Sequence, residues 1–142
     1  MVKLRTLTLA IFVAALLLAG CGADATPVSQ ETVQVDLEAL PVNMQPADVA
    51  AIADNPEVVI IDVREPFEYD EGHIPGAQLI PLGTIPDRIN EIPTDKTVIA
   101  VCRSGNRSGQ ATEYLRQQGF DNVHNMNGGM NDWQAAGYEV EK

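Results

Sequence analysis

Cys102 is followed by five residues without an apolar side chain, Arg103-Ser104-Gly105-Asn106-Arg107, and then by Ser108. A thiol reacts as its thiolate, and cations or unpaired backbone N–H groups nearby lower the pH at which it ionises. Arg103 and Arg107 bring positive charge. Gly105 permits backbone angles at which successive N–H groups turn inward as a nest for an anion. The chemistry this spacing suits is nucleophilic: a stabilised thiolate, or a thiolate carrying one extra sulfur. A cysteine at a strand end is often just a small buried hydrophobe, but that role gives no reason for an all-polar loop with two cations.

Such a loop must be held by what flanks it. Thr97-Val98-Ile99-Ala100-Val101 is a short apolar run rich in β-branched residues, which predicts a strand covered on both faces. Ser108 opens a predicted helix in which Ala111, Tyr114, Leu115 and Gln118 share a face. Gly119 stops it. A strand that turns directly into a helix aims the helix N-terminus at the turn, where unpaired N–H groups and the macrodipole favour an anion.

The rest of the domain repeats that alternation. Pro46 sits at a first helical position, with Val49, Ile52 and Ala53 as the buried stripe and Asn55-Pro56 as the stop. Val58–Ile61 reads as a second buried strand, and Asp62-Val63-Arg64-Glu65 leaves its end. Pro66-Phe67-Glu68-Tyr69 leads to the turn Gly72–Ala77. Leu79–Leu82 is a third short strand, and Ile85, Ile89 and Ile92 mark a short helix. Asn122-Val123-His124 is another strand, and Gly128-Gly129 precedes a last helix with Met130 and Trp133 on one side. Alternating strands and helices predict an α/β domain with a mostly parallel central sheet of about five strands. Ligand sites in open sheets of this kind lie beyond the carboxyl ends of strands, where Asp62, Arg64 and Cys102 all fall. Asp62 and Arg64 read as a pair that fixes the loop beside the cysteine rather than as substrate contacts. His73 reads as structural in its glycine-flanked turn, and His124 has no assigned role.

The chain has 142 residues, two of them cysteines, Cys21 and Cys102, with 20 acidic against nine basic side chains. Two histidines and two cysteines at this spacing give no metal site, and no Walker loop, dinucleotide fingerprint or repeat is present, so neither a metal nor a cofactor is expected. Weak alternation over Thr32–Leu37 predicts an edge strand.

The N-terminus reads as an address. Lys3 and Arg5 precede an uncharged apolar run from Leu7 to Ala19. That run is short for a membrane span and has the layout of a secretory signal. Leu18-Ala19-Gly20-Cys21 resembles a bacterial lipobox, which implies a signal peptide over 1–20 and acyl chains on Cys21. Residues 21–41 are then the lipidated cysteine and a tether, and 42–142 the folded domain. The expected protein is extracytoplasmic and held to a membrane by its lipid alone. Without residues 1–20 the net charge is −13, from seven basic and 20 acidic residues. Such a surface repels nucleic acid and anionic headgroups.

Three segments together resemble the rhodanese domain: Asp62-Val63-Arg64-Glu65 with Gly72-His73-Ile74-Pro75-Gly76-Ala77; Cys102 through Ser108; and Asn127-Gly128-Gly129 followed by Trp133. The resemblance spans about Val42 to Val140. It implies a three-layer α/β/α fold and a single-domain, monomeric sulfurtransferase in which Cys102 carries a persulfide. It implies a small anionic sulfur donor such as thiosulfate and a thiol or cyanide as acceptor. Residues Arg103, Ser104, Gly105, Asn106, Arg107 and Ser108 would cradle the sulfur, with Arg107 turned inward or bracing the loop and Arg103 at the rim. Related cysteine phosphatases look like Cys-x5-Arg, one residue longer than the Cys-x4-Arg here, and the smaller cradle suits sulfur better than a phosphoryl group. Two other functions compete: a lipid-anchored binding module without turnover, and phosphatase chemistry from the same thiolate.

Overall fold

The structure is a computed structural model and describes residues 35–142. The expected signal peptide, Cys21 and the tether up to residue 34 lie outside the described residues. Five strands form one sheet: β1 (Asn43–Met44), β2 (Val58–Asp62), β3 (Gln78–Leu79), β4 (Thr97–Val101) and β5 (Val123–Met126), in the order β1-β5-β4-β2-β3. Every pairing is parallel, so the sheet is wholly rather than mostly parallel. Each parallel neighbour requires a crossover; the helices α1 (Pro46–Ala50), α2 (Pro66–Asp70), α3 (Ile85–Arg88) and α4 (Asn106–Gln117) lie in those connections, and α5 (Gly129–Ala135) follows the last strand.

The three layers follow from the pleat of the central strand. Successive side chains of a strand point to opposite faces. Ile99 and Val101 of β4 join Met44, Val49, Ile60, Met126 and Trp133 in one core. Val98, Ala100 and Cys102 join Ile61, Ile80, Ile85, Ala111 and Leu115 in the other. Helices α1 and α5 thus cover one face, and α3 and α4 the other. Central strands buried on both sides are what the unbroken apolar runs of β2 and β4 call for.

Register sets the site. Strand β2 runs beside β4 with Val58 opposite Thr97 and Asp62 opposite Val101. Asp62 and Cys102 therefore emerge together at the carboxyl edge of the two central strands.

Several boundaries differ from expectation. Helix α4 starts at Asn106, two residues before Ser108, so Arg107 and Ser108 lie in its first turn. Its buried face is Ser108, Ala111, Thr112 and Leu115, whereas Gln118 is exposed. Residues Leu37–Ala39 form a 3-10 turn capped by the Asp36 carboxylate, which accepts from Glu38 N at 3.0 Å. The first half of the expected edge strand Thr32–Leu37 lies outside the described residues, and among the described residues Asn43–Met44 forms one edge of the sheet. The third strand is two residues long. Ile80 N and Leu82 N still donate to Asp62 O and Val63 O, but Pro81 between them has no N–H to offer and fits only at a sheet edge.

Candidate active site

The loop from Cys102 to Ser108 closes around sulfur because its backbone reverses at Gly105. That residue has φ +91° and is the N-cap of α4. A side chain there is strained by the backbone angle, and its Cβ would lie 3.0 Å from Gly128 N. Bare backbone at both points lets the loop lie flat on the turn that follows β5. Gly105 N donates to Cys102 Sγ at 3.2 Å, and Ser108 Oγ donates to it at 3.3 Å. The thiol is 1% exposed. Burial is the largest single influence on it and pushes its pKa up. The Ser108 hydroxyl and the amides of Ser108, Ser104 and Gly105 together outweigh burial and leave the thiol below its ordinary range. The inward-facing donors that the sequence suggests are thus present, and they act from within a packed pocket.

Ser108→Ala removes the side-chain donor and leaves the amides. Its thiol is expected to ionise at higher pH than the parent's. The pH profile of alkylation by iodoacetamide, with thiolate absorbance alongside, measures the shift; an unchanged midpoint would assign the whole effect to the backbone.

The two arginines do something other than face the sulfur. Arg107 Nη1 and Nη2 donate to Glu68 Oε2 and Oε1 at 2.6 and 2.8 Å, a two-pronged pair. Arg103 Nε lies 3.1 Å from Glu68 Oε1, with the Arg103 side chain 56% exposed. Arg107 therefore braces the loop, the second of its two expected roles, and Arg103 stands at the rim. The Arg107 guanidinium, aided by a hydrogen bond from Glu65 N and the nearby Arg103, overcomes burial and holds the Glu68 carboxyl at about 2. Glu68 is a residue that sequence reasoning missed. Its signal was available: it lies in the first turn of a proline-started helix, where an acid reaches back to the N-cap N–H, and Glu65 N donates to Glu68 Oε2 at 3.1 Å. Two cations across the fold need such an anion. The side chains of Ser104 and Asn106 are exposed; Ser104 acts on the sulfur through its amide, and Asn106 makes no bond to it.

Asp62 and Arg64 pair with each other, and the side-chain bond beyond the pair runs to Gly72 rather than to the cysteine loop. Arg64 Nη2 donates to Asp62 Oδ2 at 2.6 Å and to Gly72 O at 2.9 Å, and Arg64 Nε reaches both carboxylate oxygens at 2.9 Å. Both residues are buried. The pair ties the end of β2 to the Gly72–Ala77 turn. His73 stacks on Tyr69 at 3.6 Å between ring centroids and hydrogen-bonds Tyr69 O through Nδ1 at 3.1 Å. His124 Nδ1 hydrogen-bonds Pro41 O at 2.9 Å. Both histidines hold loops in place.

The Asn127-Gly128-Gly129 segment supports the loop from beneath. Met130 N donates to Cys102 O at 2.8 Å and Asn131 N to Arg103 O at 2.9 Å. Gly129, with φ +57°, is where the two backbones touch: a Cβ there would overlap the Cys102 carbonyl oxygen and lie 2.6 Å from Arg103 C. Among the described residues, no group of three or more His, Cys, Asp or Glu side chains is placed to hold a metal.

Residues 45–136 match the family model described as "Rhodanese-like domain". This chain belongs to the rhodanese family. Among relatives of this rhodanese domain, a "Sulfurtransferase" of Allochromatium vinosum is 44% identical over 89 residues, covering 63% of this chain and 83% of the relative. The "Thiosulfate sulfurtransferase GlpE" of Pseudoalteromonas translucida is 39% identical over 63% of this chain and 86% of its own length. Among solved structures, a rhodanese-related protein from Thermoplasma volcanium superposes with a TM-score of 0.67 at 32% identity, covering 71% of this chain and 98% of that one. The α/β/α rhodanese fold and a kinship with sulfurtransferases are thereby established for the chain.

Proposed function

We propose that the protein moves a sulfane sulfur from a small anionic donor to a thiophilic acceptor through a persulfide on Cys102. The observation that carries the proposal is the set of donors around a buried sulfur: Gly105 N at 3.2 Å and Ser108 Oγ at 3.3 Å, with the thiol pulled below its ordinary range. The Cys102 thiolate attacks the outer sulfur of thiosulfate. A new S–S bond forms, the donor's S–S bond breaks with its electron pair, and sulfite leaves. Cys102 now carries the persulfide anion. Cyanide, or a thiolate in the cell, attacks the outer sulfur and takes it, and the Cys102 thiolate returns as the leaving group. Each step is a displacement at divalent sulfur, so no oxidant is consumed and no general base is required once the thiol is ionised.

The cradle lowers the barrier because the charge stays on sulfur throughout, and donors fixed by the fold need no reorganisation. Arg103, exposed at the rim, is placed to attract the donor's sulfonate. Arg107, paired with Glu68, ties the first turn of α4 to α2. Incubation of the pure protein with thiosulfate, followed by intact-mass measurement, should add one sulfur atom to Cys102, removable by cyanide. A protein that gains no sulfur from any of several donors would be a binding module instead.

The address belongs to the same reading. Leu18-Ala19-Gly20-Cys21 supports a lipid-anchored, extracytoplasmic protein, with the acidic domain held off the bilayer by the tether. Metabolic labelling with a fatty acid should mark the parent and leave Cys21→Ala unmarked; equal labelling of both would remove the anchor.

A further inference from the structure

Phe67 is 63% exposed, the most open of the large apolar side chains among the described residues. Single exposed apolar side chains are ordinary on a protein surface. This one is set apart by its place. It is the second residue of α2, after Pro66 and directly before Glu68. The helix does not call for an aromatic ring there, since aromatic side chains are middling helix formers. The ring also belongs to neither core.

Its neighbour Glu68 is buried and meets both loop arginines. Arg107 reaches it at 2.6 and 2.8 Å, and Arg103 Nε lies 3.1 Å from Glu68 Oε1. Consecutive Cα atoms are about 3.8 Å apart, so Phe67 stands one residue from the carboxylate that Arg103 touches. The Arg103 side chain is itself exposed. An open ring and an open guanidinium thus share the rim of the loop that closes on Cys102.

The charge balance at this rim makes the ring matter. Glu68, whose carboxyl is held at about 2, is charged near neutral pH. Two guanidinium cations, that carboxylate and the Cys102 thiolate leave no net charge. The chain as a whole carries a net charge of −11, and a field of that sign repels an anionic donor. Charge alone therefore gives a small anion little hold. Apolar contact is a source of affinity that an acidic field does not oppose.

We propose that Phe67 is a specificity-determining residue: it selects an anionic sulfur donor of the form R–SO2–S⁻, whose apolar group R lies on the ring while Arg103 takes the sulfonyl oxygens. The inference rests on the sulfur-transfer reading above and names the class of donor. The Cys102 thiolate attacks the outer sulfur. The new S–S bond forms, the bond to the sulfonyl sulfur breaks, and the sulfinate R–SO2⁻ leaves with the electron pair. Cys102 carries the persulfide anion, so charge and electrons balance without an oxidant. In thiosulfate a charged oxygen stands where R would be, and the negative face of an aromatic ring disfavours it.

The test is steady-state sulfur transfer to cyanide by the full chain, with the uncatalysed rate subtracted and benzenethiosulfonate and methanethiosulfonate as donors. The two differ in intrinsic reactivity, but that difference is common to every variant. Phe67→Ala should lower the ratio of kcat/KM, benzene over methane, about tenfold, the scale of one aromatic pair. The loss should fall mainly on KM, as for a contact made equally before and during the reaction. Phe67→Tyr keeps the ring and should keep the ratio. A ratio unmoved by alanine, an equal fall for both donors, or a tyrosine variant as impaired as alanine would each overturn the role of the ring while sulfur transfer stands. A parent protein that forms no thiocyanate from either donor would overturn the sulfur-transfer reading and this inference with it.

Discussion

Cys102→Ser should make no thiocyanate from thiosulfate and cyanide, a loss of at least about a thousandfold, the scale on which removing a covalent nucleophile is felt. Serine keeps nearly the same shape and can accept from Gly105 N and Ser108 Oγ, which stand 3.2 and 3.3 Å from the sulfur in the parent. The fold should therefore survive, with an unfolding midpoint close to the parent's. The loss comes from chemistry: an alkoxide is not formed in this cradle near neutral pH, and oxygen cannot hold sulfane sulfur as a persulfide. Steady-state assay with intact-mass measurement checks it. Thiocyanate formed at the parent rate would move the reacting group elsewhere.

Gly129→Ala should destabilise the protein by about 3 kcal/mol and disable the loop with it, from backbone strain and lost hydrogen bonds together. A non-glycine residue in the left-handed region costs about 1 kcal/mol or more. The steric clash costs more than the strain, because Cβ would overlap the Cys102 carbonyl and crowd Arg103 C at 2.6 Å. Relief requires the start of α5 to move away. That movement breaks Met130 N to Cys102 O and Asn131 N to Arg103 O, at 2.8 and 2.9 Å, and each bond is worth about 1 kcal/mol. Chemical denaturation measures the stability, and sulfur loading at low denaturant measures the loop. Gly119→Ala is the control, since a Cβ at that helix end meets nothing within 4 Å. It should cost only the backbone strain and leave loading intact. Equal behaviour of the two variants would remove the backbone contact as the reason for glycine at 129.

Glu68 shows how the site is balanced. Two unpaired arginines beside a thiolate would lower its pKa strongly. The carboxylate between them cancels one charge. Fine control then falls to neutral donors, a hydroxyl and three amides, whose orientation is fixed by the helix start. Placing the thiol among apolar neighbours works against ionisation, so the donors must exceed that penalty, and the direction of the Cys102 shift says they do.

The features that depend on near neighbours are legible in consecutive residues. Strand β4 is found at its expected bounds, Thr97–Val101, because an unbroken β-branched run has few other homes. The cysteine loop, its glycine hinge and the alternation that makes an α/β sheet are likewise written in consecutive residues. Helix ends are less legible, since a helix start depends on which N–H groups the fold needs: α4 begins at Asn106, which brings the Ser108 amide and hydroxyl to the sulfur. Where the arginines point depends on contacts between distant segments. Glu68 is 39 residues from Arg107 along the chain, and no local pattern links them. The same holds for Gly129, whose glycine is explained by the carbonyl of Cys102, far back along the chain. Local order follows from spacing of side-chain types; the pairing of charges and the touching of backbones follow from sheet register, which brings distant segments to one edge.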